Sequence, residues 1–336
     1  MSDLPPFPGP ASDGAAAALS LVLRLEARSD EAEGIVSLTL VDPAGAPLPP
    51  FTPGSHLLVE CAPGVVRAYS LCNAPSDRHR YLLGVLREPA SRGGSAAVHD
   101  DWAVGRTVRV SLPRNHFALS EGPGRVLLLG GGIGITPLLA MAEHLHAQGR
   151  PFALHYCTRT AARTAFAERL RQAPFSGSVH LHHDDGPAEA AFDATRILGE
   201  RGPQDHLYAC GPAGFLGRVM EIARQQGWPA SQLHQEVFQA SVEASPGDQP
   251  FEIVVANRDI TVLVPAGETA LHALARAGID VMFSCEQGVC GACVTGVVEG
   301  ELDHRDQYLT DADRARNDCF TPCCSRSRTP RLVIEL

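Results

Sequence analysis

Three cysteines within one short stretch constrain this chain more than any other feature of its sequence. Cys285, Cys290 and Cys293 form a C-x4-C-x2-C pattern. Plant-type [2Fe–2S] clusters are held by this spacing together with one distant cysteine. Structural zinc usually takes two separate cysteine pairs, so three cysteines in one loop favour iron over zinc or unliganded thiols. The pattern therefore predicts a one-electron centre that needs a donor and an acceptor.

The fourth cluster ligand has to come from a later cysteine. The candidates are Cys319, Cys323 and Cys324. Cys323 stands thirty residues after Cys293. The side chains of Cys323 and Cys324 diverge if this segment is extended. The residues by themselves leave the choice open.

The composition narrows the class of protein. A chain of 336 residues predicts roughly two to three domains. The formal net charge of −10 argues against a nucleic-acid partner, and no apolar run is long enough for a membrane span. Residues 1–18 lack the features of a signal peptide and are predicted to form a flexible lead. Ten cysteines without such a signal indicate metal or catalytic use in a reducing cytoplasm.

Residues 19–121 are dominated by short apolar runs that Pro and Gly separate. This pattern is typical of a small antiparallel β-barrel or sandwich. The predicted strands are Leu21–Leu25, Ile35–Leu40, His56–Glu60, Tyr69–Cys72, Tyr81–Leu86 and Val108–Leu112.

Two stretches of this segment suit a ligand that carries a phosphate and a flat ring. In Arg67-Ala68-Tyr69-Ser70, a strand would put Arg67 and Tyr69 on one face. In Arg92-Gly93-Gly94-Ser95, two glycines precede Ser95 as a predicted N-cap, and a helix start of this kind binds phosphate. Taken singly, the two stretches are better explained as an edge strand with a surface arginine and as a flexible turn.

Residues 122–238 change to alternating strands and helices, which predicts a parallel sheet with ligands at the carboxyl ends of its strands. The strand Val126–Leu129 runs into Gly130-Gly131-Gly132-Ile133-Gly134-Ile135-Thr136-Pro137 and a helix at Leu138–Gln148. Ile135 stands where the G-x-G-x-x-G fingerprint needs glycine, and no P-loop Lys-Ser/Thr follows. The turn still suits a pyrophosphate, because backbone N–H groups and the helix dipole suffice. The later predicted elements are strands at Phe152–Cys157, Ser178–His182 and Leu207–Cys210, and helices around Ala162–Arg171 and from Gly211 to about Gln226.

Further candidate contacts lie at the strand ends of this segment. Cys210 closes a predicted strand before Gly211-Pro212, where a small buried hydrophobe is favoured over a covalent role. At the end of the second strand, Thr158-Arg159-Thr160 replaces the acid typical of NAD sites. Arg159 can hold a 2′-phosphate or stack on adenine. Asp184-Asp185, after the third strand, can contact the cofactor or cap a turn, and the turn is favoured.

The remaining residues divide into a linker and a third segment. Residues 239–249 are polar and turn-rich, which predicts an interdomain linker. Residues 250–336 begin with strands at Phe251–Val255 and Asp259–Val264 and a helix at Glu268–Ala277. Beyond the cysteine loop, six acids accompany one arginine. By default such a run is a solvated loop, and the alternative is a docking face for a basic patch on an electron acceptor. The acids are Glu299, Glu301, Asp303, Asp306, Asp311 and Asp313.

Taken in order, these motifs resemble the ferredoxin–NADP reductase superfamily. Arg67-Ala68-Tyr69-Ser70 and the Gly/Ser helix start are similar to its flavin-binding domain. GGGIGITP and Cys210-Gly211-Pro212 are similar to its nicotinamide domain. The run from Arg92 through Ser111-Leu112-Pro113-Arg114-Asn115 resembles one branch, the phthalate dioxygenase reductase and vanillate demethylase reductase family. The C-terminal position of the cysteine loop fits the same branch.

The resemblance implies a multidomain protein with three cofactor-binding parts. An antiparallel β-barrel at 19–121 would bind FMN rather than FAD. An α/β domain with a parallel sheet at 122–238 would bind NADH rather than NADPH. An α+β ferredoxin domain of the β-grasp type at 250–336 would hold the [2Fe–2S] cluster. Pro322-Cys323-Cys324-Ser325-Arg326 resembles the end of the family's ferredoxin domain, which implies Cys323 as the fourth ligand and leaves Cys319 and Cys324 as free buried thiols.

The resemblance also implies roles for single residues. Arg67 and Ser95 would lie near the flavin phosphate, and Ser70 and Cys210 would line the path of the hydride as the nearest approach to catalytic residues. The residues implied near the flavin are Arg67, Ala68, Tyr69, Ser70, Gly93, Gly94 and Ser95. The residues implied near the nicotinamide nucleotide are Gly131, Gly132, Ile133, Gly134, Thr136, Cys210, Gly211 and Pro212. The implied metal ligands are Cys285, Cys290, Cys293 and Cys323.

The implied function is electron transfer from NADH through FMN and the [2Fe–2S] cluster to a separate terminal oxygenase, of the Rieske non-haem iron type. Such a reductase requires positioning and tuning of its cofactors rather than a protein nucleophile. Three alternatives remain open at this point. The same reductase can serve a cytochrome P450, the flavin can be FAD, or the chain can be an iron–sulfur redox sensor without turnover.

Overall fold

The computed structural model describes residues 19–89, 93–187, 191–238, 247–258, 260–283, 288, 291–306 and 308–336. These residues belong to two compact units. One unit spans Leu21–Gln239, and the other contains Ala240–Leu336 together with Met1–Ser20. Within the described part of the chain, no helix has both the length and the apolar character of a membrane span. The predicted lead and most of the predicted linker lie outside the described residues.

The first unit begins with a seven-stranded antiparallel sheet. Its strands are β1 (Leu21–Ala32), β2 (Ile35–Val41), β3 (Ser55–Ala62), β4 (Val65–Ser70), β5 (Tyr81–Leu86), β6 (Thr107–Val110) and β7 (Arg114–Asn115). Their order is β4-β3-β6-β1-β2-β5, and β7 pairs with β3. Leu71, directly after β4, forms a bridge with Leu83 of β5, so the two ends of the sheet meet. Helix α1 (Gly94–Asp101) lies in the connection between β5 and β6.

A five-stranded parallel sheet forms the rest of this unit, in agreement with the predicted alternation of strands and helices. Leu127 and Leu129 are buried on one face of the central strand and Leu128 on the other, because helices cover both faces. In the order β10-β9-β8-β11-β12, the strands are β10 (Val179–His183), β9 (Phe152–Thr158), β8 (Val126–Gly131), β11 (His206–Cys210) and β12 (Leu233–Glu236). The helices are α2 (Ile135–Ala147), α3 (Ala167–Gln172), α4 (Ala194–Gly199) and α5 (Ala213–Gln225).

The helix predicted around Ala162–Arg171 is divided into two pieces. A 3₁₀ turn covers Ala161–Arg163, and α3 begins only at Ala167. Between them Phe166 has a left-handed backbone with φ 59°, and its ring is buried against Gly84 of β5. Packing of this ring in the core fixes a conformation that a continuous helix does not allow.

The second unit contains a mixed five-stranded sheet in the order β14-β13-β19-β15-β17 and a separate pair, β16-β18. Phe251, Ile253 and Val255 alternate inward from β13, and Leu271 and Leu274 of helix α6 pack on the same core. The strands are β13 (Phe251–Val255), β14 (Ile260–Val264), β15 (Thr295–Glu299), β16 (Leu302–Asp303), β17 (Cys319–Phe320), β18 (Arg326–Ser327) and β19 (Arg331–Glu335). The helices are α6 (Ala270–Arg276) and α7 (Asp311–Arg316).

The last residues of the predicted linker are tied to this second unit. Arg305 donates to both carboxylate oxygens of Asp248. The buried Arg326 donates from Nη2 to the carbonyl of Gln249 at 3.1 Å. Asp248 and Gln249 are therefore held by side chains of the unit that follows them.

Candidate functional site

In the predicted flavin-phosphate site, the side chain of Arg67 lies against the start of helix α1. Gly93 is the N-cap of α1, with a left-handed φ of 88°, so the prediction of Ser95 as the N-cap is wrong. A glycine at this position turns the chain sharply, and the helix begins two residues earlier than predicted. Ser95 Oγ instead accepts a hydrogen bond from the backbone N–H of Glu88 at 3.1 Å. A Cβ on Gly94 would lie 2.7 Å from Cγ of Arg67, so that only glycine lets the arginine cross the helix start.

Strand β4 carries the Arg-Ala-Tyr-Ser motif along the same region. Its register with β3 places Tyr69 opposite Leu57, Ala68 opposite Leu58 and Ser70 opposite His56. Tyr69 packs against the core of the sheet, and its hydroxyl lies 3.8 Å from Sγ of Cys61. Burial raises the pKa of the Tyr69 phenol well above its usual range, so the ring stays uncharged.

The glycine-rich turn between β8 and α2 fits closely against the end of β11. A Cβ on Gly134 would lie 2.2 Å from the carbonyl oxygen of Cys210, and one on Gly131 would lie 3.0 Å from the ring of Phe215. Gly132 adopts a φ of 53°, which glycine reaches without strain. Backbone N–H groups of this turn are thereby placed beside Cys210-Gly211-Pro212, where Pro212 caps the N-terminus of α5. Such an arrangement is suited to a pyrophosphate.

The same turn also contacts the flavin-type sheet. Thr136 Oγ1 donates to the carbonyl of Ile133 at 3.0 Å, which fixes the rotamer of the threonine. Its Cγ2 would be 2.8 Å from a Cβ on Gly84 of β5. Ile133 packs against the apolar core between β8 and α2. A residue predicted for the nicotinamide nucleotide therefore contacts a strand of the antiparallel sheet within the same compact unit.

Glu236 joins the two predicted cofactor sites, although the sequence analysis assigned it no role. In the parallel pair β11-β12 it lies opposite Cys210, and Ser70 is near enough for its side chain to affect the pKa of this acid. Burial raises its pKa to about 8, against a smaller lowering by Ser70. Its Oε2 is buried and has no hydrogen-bond partner among the described residues. The only local signal was an acid in a short strand whose side chain faces the core.

Ser70, Glu236 and Cys210 form a group that is uncharged at neutral pH. Burial and the nearby Glu236 raise the pKa of the Cys210 thiol well above its usual value. The carboxyl group of Glu236 keeps its proton up to about pH 8. This group can position a planar ligand and hold a proton, but it does not offer a thiolate nucleophile.

The carboxyl ends of β9 and β10 shape the predicted adenosine end of the nucleotide site. Thr158 Oγ1 lies 2.7 Å from Oγ1 of Thr164 and 2.9 Å from Nδ1 of His183, so this hydroxyl is engaged within the protein. The backbone N–H of Asp184 donates to the carbonyl of Thr158 at 3.1 Å. Arg159 is exposed and follows directly. The choice between NADH and NADPH at this site stays a prediction.

The predicted cluster site is built around two buried cysteines. Cys293 and Cys323 are 2% and 1% exposed, whereas Cys285 and Cys290 lie outside the described residues. Buried thiols of this kind suit an iron–sulfur cluster, because iron prefers soft anionic ligands in an apolar setting. Cys319 is partly exposed in β17, so the prediction that it is a buried thiol is wrong. Cys319 lies in β17, which is a two-residue strand at the edge of its sheet, so no further strand of the described residues covers it on that side.

Two glycines of the cluster loop have positive φ and close neighbours. Gly288 has a φ of 71°, and a Cβ there would lie 2.4 Å from Sγ of Cys324. Gly291 has a φ of 69°, and a Cβ there would enter the ring of Tyr308. The loop and the segment that carries the predicted fourth ligand are therefore in direct contact, as a shared cluster requires.

The acidic stretch beyond the loop divides into structural and exposed acids. Asp306 is 4% exposed and accepts hydrogen bonds from the backbone N–H groups of Tyr308 and Leu309 at 3.0 and 2.7 Å. Asp313 forms the capping box of α7 with Thr310. Asp303 is paired with Arg305. The exposed acids are Glu299, Glu301 and Asp311.

Comparisons with known proteins agree with this division into a redox unit and a cluster unit. Residues 253–328 match the family of 2Fe-2S iron–sulfur cluster binding domains. The vanillate O-demethylase oxidoreductase of Pseudomonas sp. (strain HR199 / DSM 7063) is 47% identical over 305 residues, which cover 91% of this chain and 96% of that protein.

Two solved structures extend the comparison. Phthalate dioxygenase reductase, described as a modular structure for electron transfer from pyridine nucleotides to [2Fe–2S], has a TM-score of 0.71 and 38% identity, covering 94% of this chain and 98% of that one. An intact type IV self-sufficient cytochrome P450 monooxygenase has a TM-score of 0.79 and 38% identity, covering 94% of this chain but 41% of that one.

The fold and the site define a multidomain oxidoreductase with a C-terminal [2Fe–2S] domain, and the predicted cluster is confirmed by the family match. The chain belongs to the family of phthalate dioxygenase reductase and vanillate O-demethylase oxidoreductase. The resemblance stated from its motifs is thereby confirmed. A further relative, from Pseudomonas putida, is named phthalate 4,5-dioxygenase oxygenase reductase subunit and is 36% identical over 315 residues, which cover 94% of this chain and 96% of that protein.

Proposed function

We propose that this chain is the NADH-dependent reductase component of a two-component Rieske-type oxygenase or demethylase. Electrons would pass from NADH through FMN and the [2Fe–2S] cluster to the oxygenase. The observation that carries this proposal is the meeting of Ser70, Glu236 and Cys210 in one buried group. Strand β4 of the antiparallel sheet ends at Ser70, and strands β11 and β12 of the parallel sheet end at Cys210 and Glu236.

The proposal assigns a cofactor to each part of the chain. Residues 19–121 would form an FMN-binding β-barrel, which the bridge between Leu71 and Leu83 supports. Residues 122–238 would bind NADH, and residues 250–336 would form a β-grasp ferredoxin domain after a linker at 239–249. The cysteine usage supports a reducing cytoplasm as the setting.

The residues of the first unit would position both cofactors. Arg67 and the N-terminus of α1 would bind the flavin phosphate, because a guanidinium and helix N–H groups both favour an anion. The turn at Gly131–Gly134 would receive the pyrophosphate of NADH. Ser70 would lie beside the flavin ring and Cys210 beside the nicotinamide. The flavin itself supplies the conversion of an electron pair into single electrons.

The second unit would hold the cluster and meet the acceptor. Cys285, Cys290, Cys293 and Cys323 are the proposed ligands. The exposed acids Glu299 and Glu301 support a docking face for a basic patch on the oxygenase, because opposite charges speed encounter.

An anaerobic titration with NADH tests the proposal as a whole. Bleaching of the flavin absorbance together with a rhombic [2Fe–2S] EPR signal is the expected result. Flavin reduction without a cluster signal would contradict the proposal. Heat release and chromatography of the flavin distinguishes FMN from FAD, and parallel titrations with NADH and NADPH compare the two nucleotides.

A cytochrome P450 is the second candidate partner. The observation in its favour is the likeness to a self-sufficient P450 monooxygenase, in which the matching region is part of one longer chain. Reconstitution decides between the two partners. The reduced chain is mixed in turn with a Rieske oxygenase and with a P450, and product formation is measured for each.

A further inference from the structure

Helix α1, whose N-terminus belongs to the proposed flavin-phosphate site, is too short to keep its position by itself. It has eight residues, and isolated helices shorter than about 12–15 residues are marginal in water. Its N-cap is Gly93, and no side chain of the described residues caps its first N–H groups. The direction of these N–H groups therefore depends on contacts between the helix and the rest of its unit.

Arg28 of β1 makes such a contact at the opposite end of the helix. Its Nη1 donates to the carbonyls of Val98 and Trp102 at 3.2 and 2.8 Å, and its Nη2 donates to the carbonyl of His99 at 2.7 Å. The carbonyls of the last four helical residues have no partner within the helix, and those of Val98 and His99 are two of them. One guanidinium reaches all three carbonyls because its donors form a rigid planar fork.

Side chains of the same turn tie the helix end to two further strands. Trp102 Nε1 donates to the carbonyl of Cys61 in β3 at 3.0 Å, and His99 Nε2 lies 3.0 Å from the carbonyl oxygen of Val85 in β5. Arg28 differs from these contacts because it bonds the backbone of the helix itself. Its positive charge also lies at the negative end of the helix dipole, where a cation is favourable.

The start of the helix is sensitive to any shift of its axis. A Cβ on Gly94 would lie 2.7 Å from Cγ of Arg67, so the helix backbone and this arginine are already in close contact. A movement of α1 would change the spacing between its first N–H groups and the guanidinium of Arg67. Both groups are proposed to share one anion, so this spacing decides how well they bind it.

We propose that Arg28 is a positioning residue of the flavin-phosphate site. By bonding the last carbonyls of α1, it holds the first N–H groups of that helix beside Arg67, where the phosphate of the flavin is received. Arg28 acts through the helix, since eight residues separate the two ends by roughly 12 Å. The inference rests on the proposed function, which places the phosphate at this helix start.

Equilibrium dialysis of the full-length protein, loaded with FMN or with riboflavin, tests this inference. Riboflavin has the same ring system without the phosphate, so the comparison isolates the phosphate site. In Arg28→Met the dissociation constant for FMN should rise by roughly 3- to 30-fold, the effect of one hydrogen bond weakened at the phosphate. The dissociation constant for riboflavin should be unchanged. Arg28→Lys keeps the charge but not the planar fork, so its value for FMN should lie between those of the wild type and Arg28→Met.

Arg24→Met is the matched control, because Arg24 lies on the same strand and donates to the exposed Glu26 at 3.4 Å. Its dissociation constants for both flavins should equal those of the wild type. An unchanged affinity for FMN in Arg28→Met would overturn the inference. Equal losses for FMN and riboflavin would also overturn it, since they would show a general loosening of the sheet. If circular dichroism shows that Arg28→Met does not fold, Arg28→Lys decides by the same comparison. A wild type that binds FMN no better than riboflavin would instead contradict the phosphate site of the proposed function.

Discussion

Glu236 shows how strand register places a buried acid beside residues predicted from the sequence. The strand β12 has four residues, and its pairing with β11 sets the carboxyl beside Cys210. Its neighbour Ser70 belongs to β4, a strand that is far away in sequence. Residue types and spacing identified Ser70 and Cys210 as candidates, but a pairing between distant strands leaves no local pattern that would have identified the acid between them.

Replacement of Glu236 by glutamine should change how stability depends on pH. The pKa of Glu236 is about 8 in the folded protein and near 4.5 in the unfolded chain, so the folded state binds more protons between these values. The free energy of unfolding should therefore fall as pH rises from about 4.5 to 8, by an amount on the order of 3 kcal/mol. Glu236→Gln should abolish this fall in the free energy of unfolding, because glutamine has the shape of the neutral acid and no proton to lose.

Urea unfolding of the full chain at pH 5.5 and pH 8.5 measures this effect. The wild type and Glu236→Gln should have similar free energies of unfolding at pH 5.5. At pH 8.5 the free energy of unfolding of Glu236→Gln should be the larger. Glu221→Gln on the exposed face of α5 is the matched control and should leave the pH dependence unchanged. The same slope in the wild type and in Glu236→Gln would contradict the prediction.

Gly134 lies so close to the backbone of Cys210 that only glycine fits at this position. An alanine Cβ would lie 2.2 Å from the carbonyl oxygen of Cys210, and backbone atoms cannot rotate away as a side chain can. Gly134→Ala should destabilise the first unit by about 1–3 kcal/mol and raise the KM for NADH. Denaturation and steady-state kinetics with a small dye measure the two effects. Gly217→Ala, in the middle of α5 with no atom near its Cβ, should instead stabilise by about 0.5–1 kcal/mol. Equal effects of the two substitutions would contradict the argument.

The secondary-structure elements differ in how clearly the sequence specifies them. Strand Phe251–Val255 was predicted with its observed ends, because inward and outward residues alternate and a linker precedes it. The helix around Ala162–Arg171 was predicted too long, since the left-handed Phe166 depends on a contact with another sheet. Helix α4 has only six residues, which gives little helical periodicity. Motif spacing thus predicts the order of the elements better than their ends.

Helix α7 offers a test at the level of one element. Thr310 accepts from the N–H of Asp313, whose carboxylate returns a bond to the N–H of Thr310, and the two bonds define the helix start. Thr310→Ala should destabilise the second unit by about 1 kcal/mol, because one helix donor loses its acceptor. Thermal unfolding followed through the cluster absorbance measures this loss. Thr310→Ser keeps the hydroxyl and should behave as the wild type, and equal losses in both variants would exclude the cap as the cause.

On the scale of the whole molecule, the order of the parts was predictable and their contacts were not. The cysteine spacing and the two glycine-rich motifs follow one another along the chain, and each can be identified without the others. The acids that are free to carry exposed charge could be identified only from the structure, because half of the acids beyond the cluster loop serve other purposes. Asp306 is buried, Asp313 caps a helix and Asp303 is paired with Arg305. Glu299, Glu301 and Asp311 remain exposed, and the two glutamates lie together at the end of β15 and just after it.

Removal of these two charges should slow electron delivery to the oxygenase without affecting the earlier steps. In Glu299→Gln/Glu301→Gln, the rate of oxygenase reduction at low salt should fall several-fold, because steering by opposite charges is lost. The difference from the wild type should disappear near 0.5 M salt, where the Debye length is only about 4 Å. NADH oxidation with ferricyanide should be unchanged, since a small dye does not need the docking face. Glu121→Gln/Glu221→Gln, which removes two exposed charges from the first unit, controls for net charge. A fall of the same size in that variant would show that overall charge, not this face, directs the encounter.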